Sequence, residues 1–249
     1  MQYGICHLSI VPLRNEPQNA GELSSQVLYG DHFKVLERRK HWSKIRLAFD
    51  KYEGWIENIQ YQLIDDSLYD KIDKESPLLS ADLVEFVYDQ QNNLIPIPLG
   101  CNINTVSYLA ANFDGESKQG IFPKENIIET AFLYLNAPYL WGGKTPFGID
   151  GSGLAQMVYK LNGYKLSRDA SQQSKQGEAL SFIEESEPGD LAFFDNDEGE
   201  IIHVGIIMKD NYIIHAHGKV RIDRLDHTGI FNVDSKTHTH KLRVIKKIV

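Results

Sequence analysis

Nineteen residues, Pro138 to Gln156 (PYLWGGKTPFGIDGSGLAQ), constrain this chain more than any other stretch of it. Glycines at 142, 143, 148, 151 and 153 give a backbone free to turn sharply. Directly after them Leu154, Met157, Val158 and Leu161 recur at helical spacing, and Gly163 stops the pattern. The run therefore reads as a loop feeding a helix start, with Asp150 or Ser152 as the cap. Unpaired N–H groups and partial positive charge at such a start favour an anion. A thiol placed there loses its proton well below the free value of about 8.5, and the backbone N–H groups supply an oxyanion hole. The geometry is that of a delivered nucleophile, yet Gly151 stands at the position where the nucleophile belongs.

The segments before this loop read differently. In residues 1–64, Phe33/Val35 and Ile45/Leu47 alternate with polar residues between turns at Gly30-Asp31 and Asp50-Lys51. That period of two marks half-buried strands and predicts a small β-barrel. With Gly21-Glu22-Leu23, Trp42 and Gly54-Trp55-Ile56, the segment resembles a bacterial SH3 domain. Residues 65–77 are charged, end in Pro77 and suit a linker or peripheral helix. Residues 78–122 are again strand-rich, and Phe113-Asp114-Gly115 loosely echoes the first segment, so a second SH3-like barrel is expected there. From Pro123, Ile127, Ile128, Ala131, Phe132 and Leu135 form a helical stripe. Later strands are expected at 191–194, 201–208 and 212–216, so residues 123–249 form an α+β domain.

Composition removes several function classes. The formal net charge of −8 and the lack of a Lys/Arg block argue against nucleic acid. No stretch has the roughly 18 apolar residues of a membrane span. The first residues lack a basic region followed by an apolar one, so a cytoplasmic location, or a trimmed chain, is expected. Two cysteines, Cys6 and Cys101, are too few for a disulfide framework and are expected as buried small hydrophobes.

Tyr139, Trp141, Gly142, Gly143, Asp150, Ser152, Gly153 and Leu154 together resemble the signature of the NlpC/P60 family of papain-like cysteine peptidases, Y-x-W-G-G…G-x-D-C-S-G-[FL]. Only its cysteine is missing. Further blocks match in order: Arg168-Asp169 with Gln172/Gln173, Pro188-Gly189-Asp190-Leu191, His203-Val204-Gly205-Ile206 and Ile214-His215-Ala216. The resemblance implies a papain-like fold after one or two SH3-like barrels, with His203 as general base and His215 as the residue that orients it. Geometry alone leaves the third residue open. A hairpin centred on Asp210 pairs 203 with 217 and makes 215 its diagonal neighbour on the same face, which His217 shares. A two-residue turn would put His203 and His215 on opposite faces. A metal site from these histidines is not expected, because no cysteine and no HExxH pair is nearby. His238-Thr239-His240 reads as an exposed strand end.

The same resemblance implies a substrate: peptidoglycan stem peptides, cut between γ-D-glutamyl and a diamino acid, as in L-Ala-γ-D-Glu-diaminopimelate. Asp150 and Glu22 are then candidates for the substrate ammonium, and Ser152, Arg168 and Asp169 for the γ-D-glutamyl group. Tyr139 and Trp141 would wall the pocket, with the Tyr139 hydroxyl near the oxyanion. Related sequences often carry Asp-Ser where this chain has Asp169-Ala170. No cofactor is implied. With glycine at 151 no acyl-enzyme can form there, and Ser152, about 100° further round the helix, is not expected to substitute. The glycine fits either a deliberately removed nucleophile or a natural pseudoenzyme that binds muropeptide fragments without turnover.

Overall fold

A computed structural model describes residues 1–249 as two compact units, Met1–Gly120 with Trp141–Thr145, and Ile121–Leu140 with Pro146–Val249.

The first unit is built on short, half-buried strands. β1 (Gln2–Ile5), β2 (Ile10–Arg14), β3 (Leu23–Leu28), β4 (His32–Arg38), β5 (Trp42–Leu47), β6 (Glu53–Glu57) and β7 (Gln62–Ile64) pair in the order β3-β2-β6-β5-β4-β1-β7. The alternation read from the sequence is the burial pattern: Phe33 pairs with Leu47 and Val35 with Ile45, all turned inward with Val11, Leu13 and Val27. Residues 66–74 are a capped helix, α1 (Asp66–Lys74). Asp65 accepts a hydrogen bond from Leu68 N at 2.8 Å, and Tyr69 rests on Tyr3 with ring centroids 4.3 Å apart.

Residues 78–122 hold β8 (Leu78–Ser80), β9 (Val84–Asp89), β10 (Leu94–Pro98), β11 (Ala111–Phe113) and β12 (Ser117–Gln119), with a 3₁₀ turn at Ile103–Leu109. They pair as two small sheets, β10-β9-β11 and β12-β8. Cys6 and Cys101 are free and buried, and burial pushes the Cys6 thiol up to about 12.

In the second unit, α2 (Asn126–Phe132) precedes the signature loop; of the loop's two-residue strands, β13 (Lys144–Thr145) belongs to the first unit and β14 (Gly148–Ile149) to the second. The loop ends at α3 (Gly151–Leu161), followed by the short α4 (Ala170–Gln173). α3 is apolar nearly all round, with Leu154, Ala155, Met157, Val158, Tyr159 and Leu161 buried, as a helix enclosed on every side must be. It lies against α2 and against two strands of a large antiparallel sheet.

That sheet comprises β15 (Glu178–Leu180), β16 (Leu191–Asp195), β17 (Ile201–Ile207), β18 (Tyr212–His217), β19 (Lys219–Leu225), β20 (Gly229–Asn232) and β21 (Thr237–Lys247). Its order is β15-β21-β16-β17-β18-β19-β20, and β21 pairs with β20 as well, so the sheet closes on itself. The eleven residues of β21 make this possible: Thr237–Lys241 run along β20 and Lys241–Lys246 along β16. No helix is long and apolar enough to cross a membrane.

Phe33 is fully buried at the centre of the first core, edge-on to Tyr61 at 5.4 Å. Phe33→Ala is expected to lower stability by about 3–5 kcal/mol, measured by urea unfolding; a loss under about 1 kcal/mol would contradict this packing.

Candidate active site

The loop presents a helix start as its composition requires. Asp150 is the N-cap of α3, and its Oδ1 accepts from Gly153 N at 2.6 Å. Gly142 adopts a φ of +77°, and a Cβ there would run into the backbone carbonyl of Leu23, so this position needs glycine for two reasons. Gly151 is the first residue of α3 and is buried. A Cβ built on it points at the His203 ring, 3.0 Å from both Nδ1 and Cε1, and lies 3.1 Å from Val204 O. A side chain at 151 would therefore deliver its reactive atom to the imidazole.

The hairpin register settles which histidines meet. Gly205 pairs with His215, Ile206 with Ile214 and Ile207 with Ile213, so the turn centres on Asp210. His203 and His215 share a face, and His203 Nε2 lies 2.9 Å from His215 Nδ1. His217 is exposed on the same strand and makes no such contact with His203. Gly205 permits the approach: a Cβ there would meet Ile213 Cδ1 at 2.6 Å and His215 Cβ at 3.0 Å.

Sequence reasoning missed the group behind His215. Asp223, fully buried on β19, lies with Oδ2 3.0 Å from His215 Nε2. It also accepts from Arg221 Nε at 2.7 Å, Arg221 Nη2 at 3.0 Å and Val233 N at 3.1 Å. Burial alone would raise this carboxyl, but the hydrogen bonds from His215, Arg221 and Val233 outweigh it and hold it at about 2. A carboxylate only accepts, so His215 donates from Nε2 and keeps a lone pair on Nδ1. His203 then donates from Nε2 into that lone pair, which leaves His203 Nδ1 bare and aimed at position 151. One buried charge thus sets the tautomers of two rings. A signal for Asp223 was present: a tight turn at Gly218 pairs His215 with Arg221 and makes 223 its diagonal neighbour.

His240 was also misjudged. Of the stretch 238–240 read as an exposed strand end, His238 and Thr239 are exposed, but His240 is half-buried and stacks on His203, centroids 4.2 Å apart at 26°. Ile230 pairs with His240 and Phe231 with His238, so Thr239 is a bulge residue, and the bulge re-aims His240 inward. Such a kink has no compositional mark.

Several of the expected substrate-facing residues contact one another. Arg168, 1% exposed, pairs with Asp150 through Nη2–Oδ2 at 2.6 Å and Nη1–Oδ1 at 3.0 Å, and reaches Ser152 Oγ at 2.9 Å. The Ser152 hydroxyl also donates to Asp150 Oδ1 at 3.2 Å, so it faces this ion pair. Gln173 Nε2 braces the group from below, donating to Ser152 O at 2.9 Å and Ser167 O at 2.8 Å. Asp169 is the N-cap residue of α4. Tyr139 is 40% exposed, and burial, then the charge of Asp150, raises its hydroxyl pKa. Glu22 and Trp141 belong to the first unit: Glu22 is exposed and accepts from Asn15 Nδ2 at 3.2 Å, and Trp141 is 58% exposed. Pro188-Gly189-Asp190 is structural, with Asp190 buried and paired to Lys124 Nζ at 2.7 Å.

The NlpC/P60 family matches residues 136–238, and the bacterial dipeptidyl-peptidase SH3 domain matches residues 13–59. The chain carries an NlpC/P60 domain behind a bacterial SH3 domain. A dipeptidyl-peptidase 6 of Lysinibacillus sphaericus is 29% identical over 246 residues, covering 85% of this chain and 87% of that protein. A γ-D-glutamyl-L-lysine dipeptidyl-peptidase of Bacillus subtilis is 40% identical over 94 residues, which span 37% of this chain and 31% of the relative's length. A crystal structure of an NlpC/P60 family protein from Bacillus cereus superposes with a TM-score of 0.78 over 99% of both chains at 18% identity, a likeness of fold. In this NlpC/P60 domain His203, His215 and the start of α3 come together, and glycine stands at position 151. Both cysteines of the chain, Cys6 and Cys101, are buried, with Cys6 Sγ 3.3 Å from Leu8 O.

Burial first, then the neighbouring histidines, lowers His203 well below the ordinary value, and the same causes bring His240 to about 4. His215 is lowered by burial despite Asp223. An unfolded chain takes up protons on these rings below about pH 6.5 that the folded chain refuses, so stability falls as the pH drops. The thermal midpoint is expected to be level above pH 7 and to decline from about pH 6.5 to about 4. His240→Gln is expected to flatten that decline, and a midpoint indifferent to pH across this window would contradict the buried neutral rings.

Proposed function

We propose that this chain recognises the L-Ala-γ-D-Glu-diamino acid end of peptidoglycan stem peptides and, with glycine at 151, holds it without cleaving it. The observation that carries the reading is the line from Gly151 to His203: the missing Cβ would fall 3.0 Å from Nδ1, the nitrogen that the relay leaves bare. An NlpC/P60 domain with this arrangement lacks one atom group for thiol chemistry and nothing else along the relay. The name of the B. subtilis relative, a γ-D-glutamyl-L-lysine dipeptidyl-peptidase, supports a peptide in which γ-D-glutamate precedes the diamino acid. Recognition of such a peptide is assigned to the surface around Tyr139, Ser152, Arg168 and Asp169. Arg168 is already neutralised by Asp150, so its part is to fix Ser152 and the helix start, while hydrogen bonds from neutral groups receive the peptide.

Gly151→Cys tests this directly. A Cβ at 3.0 Å requires the His203 ring to yield by a few tenths of an ångström, which an imidazole on a strand accommodates. The variant is expected to release L-Ala-γ-D-Glu from L-Ala-γ-D-Glu-diaminopimelate, and alkylation of the new thiol should abolish release. Adding His203→Ala to it should lower turnover by about 10²–10⁴-fold. The parent chain is expected to bind the tripeptide in calorimetry and leave it intact. A folded Gly151→Cys variant that neither binds nor cleaves the tripeptide would overturn the proposal.

A further inference from the structure

Closure of the sheet by β21 does more than complete a barrel wall. It sets a third imidazole against the two that form the relay: one ring nitrogen from each of His203, His215 and His240 lies within 4.8 Å of the others. Each comes from a different strand, β17, β18 and β21, so the rings are held by a hydrogen-bonded frame rather than by loops. Two of them have a partner on one ring nitrogen. Asp223 holds His215 through Nε2, and Thr239 Oγ1 sits 2.9 Å from His240 Nδ1. A carboxylate behind a ligating imidazole, as Asp223 stands behind His215, is the usual support of a metal-binding histidine.

We propose that His203 Nε2, His215 Nδ1 and His240 Nε2 form a binding site for a divalent transition-metal ion of the zinc type. In a tetrahedral zinc site with bonds of about 2.0–2.1 Å, ligand nitrogens sit about 3.3–3.4 Å apart. The 2.9 Å between His203 Nε2 and His215 Nδ1 widens to that distance with a slight parting of the rings. His240, now stacked on His203 at 26°, closes from within 4.8 Å by rotating about its side-chain bonds, and it is the half-buried member at a bulge. Three neutral nitrogens with no carboxylate among them favour zinc, cobalt, nickel or copper over magnesium or calcium. Three protein ligands leave a fourth position, and His240, the half-buried member, lies beside exposed His217 with ring centroids 5.1 Å apart.

Binding has a proton consequence that conserves the ring's charge. His203 carries its single proton on Nε2 in the relay. An ion on Nε2 displaces that proton, which moves to Nδ1, the atom facing Gly151. The nitrogen that would serve as base becomes an N–H donor. Metal uptake and base function are therefore alternatives at one ring, and a chain without the thiol loses nothing by taking the metal.

The test is calorimetric titration of the full chain with zinc chloride, alongside cobalt(II) absorption. One equivalent is expected, with the strong visible bands of four-coordinate cobalt. His240→Gln should weaken zinc by about 100-fold or more, while His227→Gln and His238→Gln leave it unchanged. Circular dichroism of His240→Gln guards against misfolding. Absence of zinc binding to the parent chain at millimolar concentration would overturn the site. So would binding that survives His240→Gln undiminished.

Discussion

The second unit of this molecule is organised around one buried carboxylate. Asp223 is inaccessible to solvent, carries its charge against the cost of burial, and spends it on Arg221, a backbone amide and His215. Everything upstream follows from its being unable to donate. His215 must present a lone pair, His203 must fill it, and the bare nitrogen of His203 must face the helix start. The line is 2.9 Å and 3.0 Å long at its two links and needs no charge on either ring. Removing one partner from such a buried network strands the rest, so the arrangement behaves as a unit.

The second determinant is topological. A sheet that closes through one long strand can gather side chains from residues 203, 215, 223 and 240 onto a single inner patch. The enclosed helix α3 packs on β17 and β18 of this sheet, its first residue faces His203, and its cap, Asp150, pairs with buried Arg168. The helix start and the relay are thus two rigid bodies meeting at one point, and that point is Gly151.

Much of this was legible in the chain. The loop, the helix stripe of Leu154 to Leu161 and the alternation at Phe33/Val35 follow from local patterns that tertiary structure had no reason to override. The pairing of His203 with His215 was legible up to register, because a turn of known centre fixes diagonal neighbours. What escaped was non-local. Asp223 required carrying the register through a second hairpin, and His240 required knowing that β21 returns to close the sheet with a bulge at Thr239. The mutual pairing of Asp150 and Arg168, each first assigned to a substrate group, also escaped. Eighteen residues separate them, and no periodicity relates a helix cap to a loop arginine.

The burial of Cys6 and Cys101 has a consequence of its own. A thiol hydrolase is vulnerable to peroxide and to electrophiles, because the thiolate that makes it reactive toward substrate makes it reactive toward them. Here no thiol reaches solvent, and Cys6 stays protonated to about pH 12. With both thiols buried, the chain offers no exposed thiolate to peroxide or electrophiles, and the group of side chains at His203 holds together without any sulfur in it.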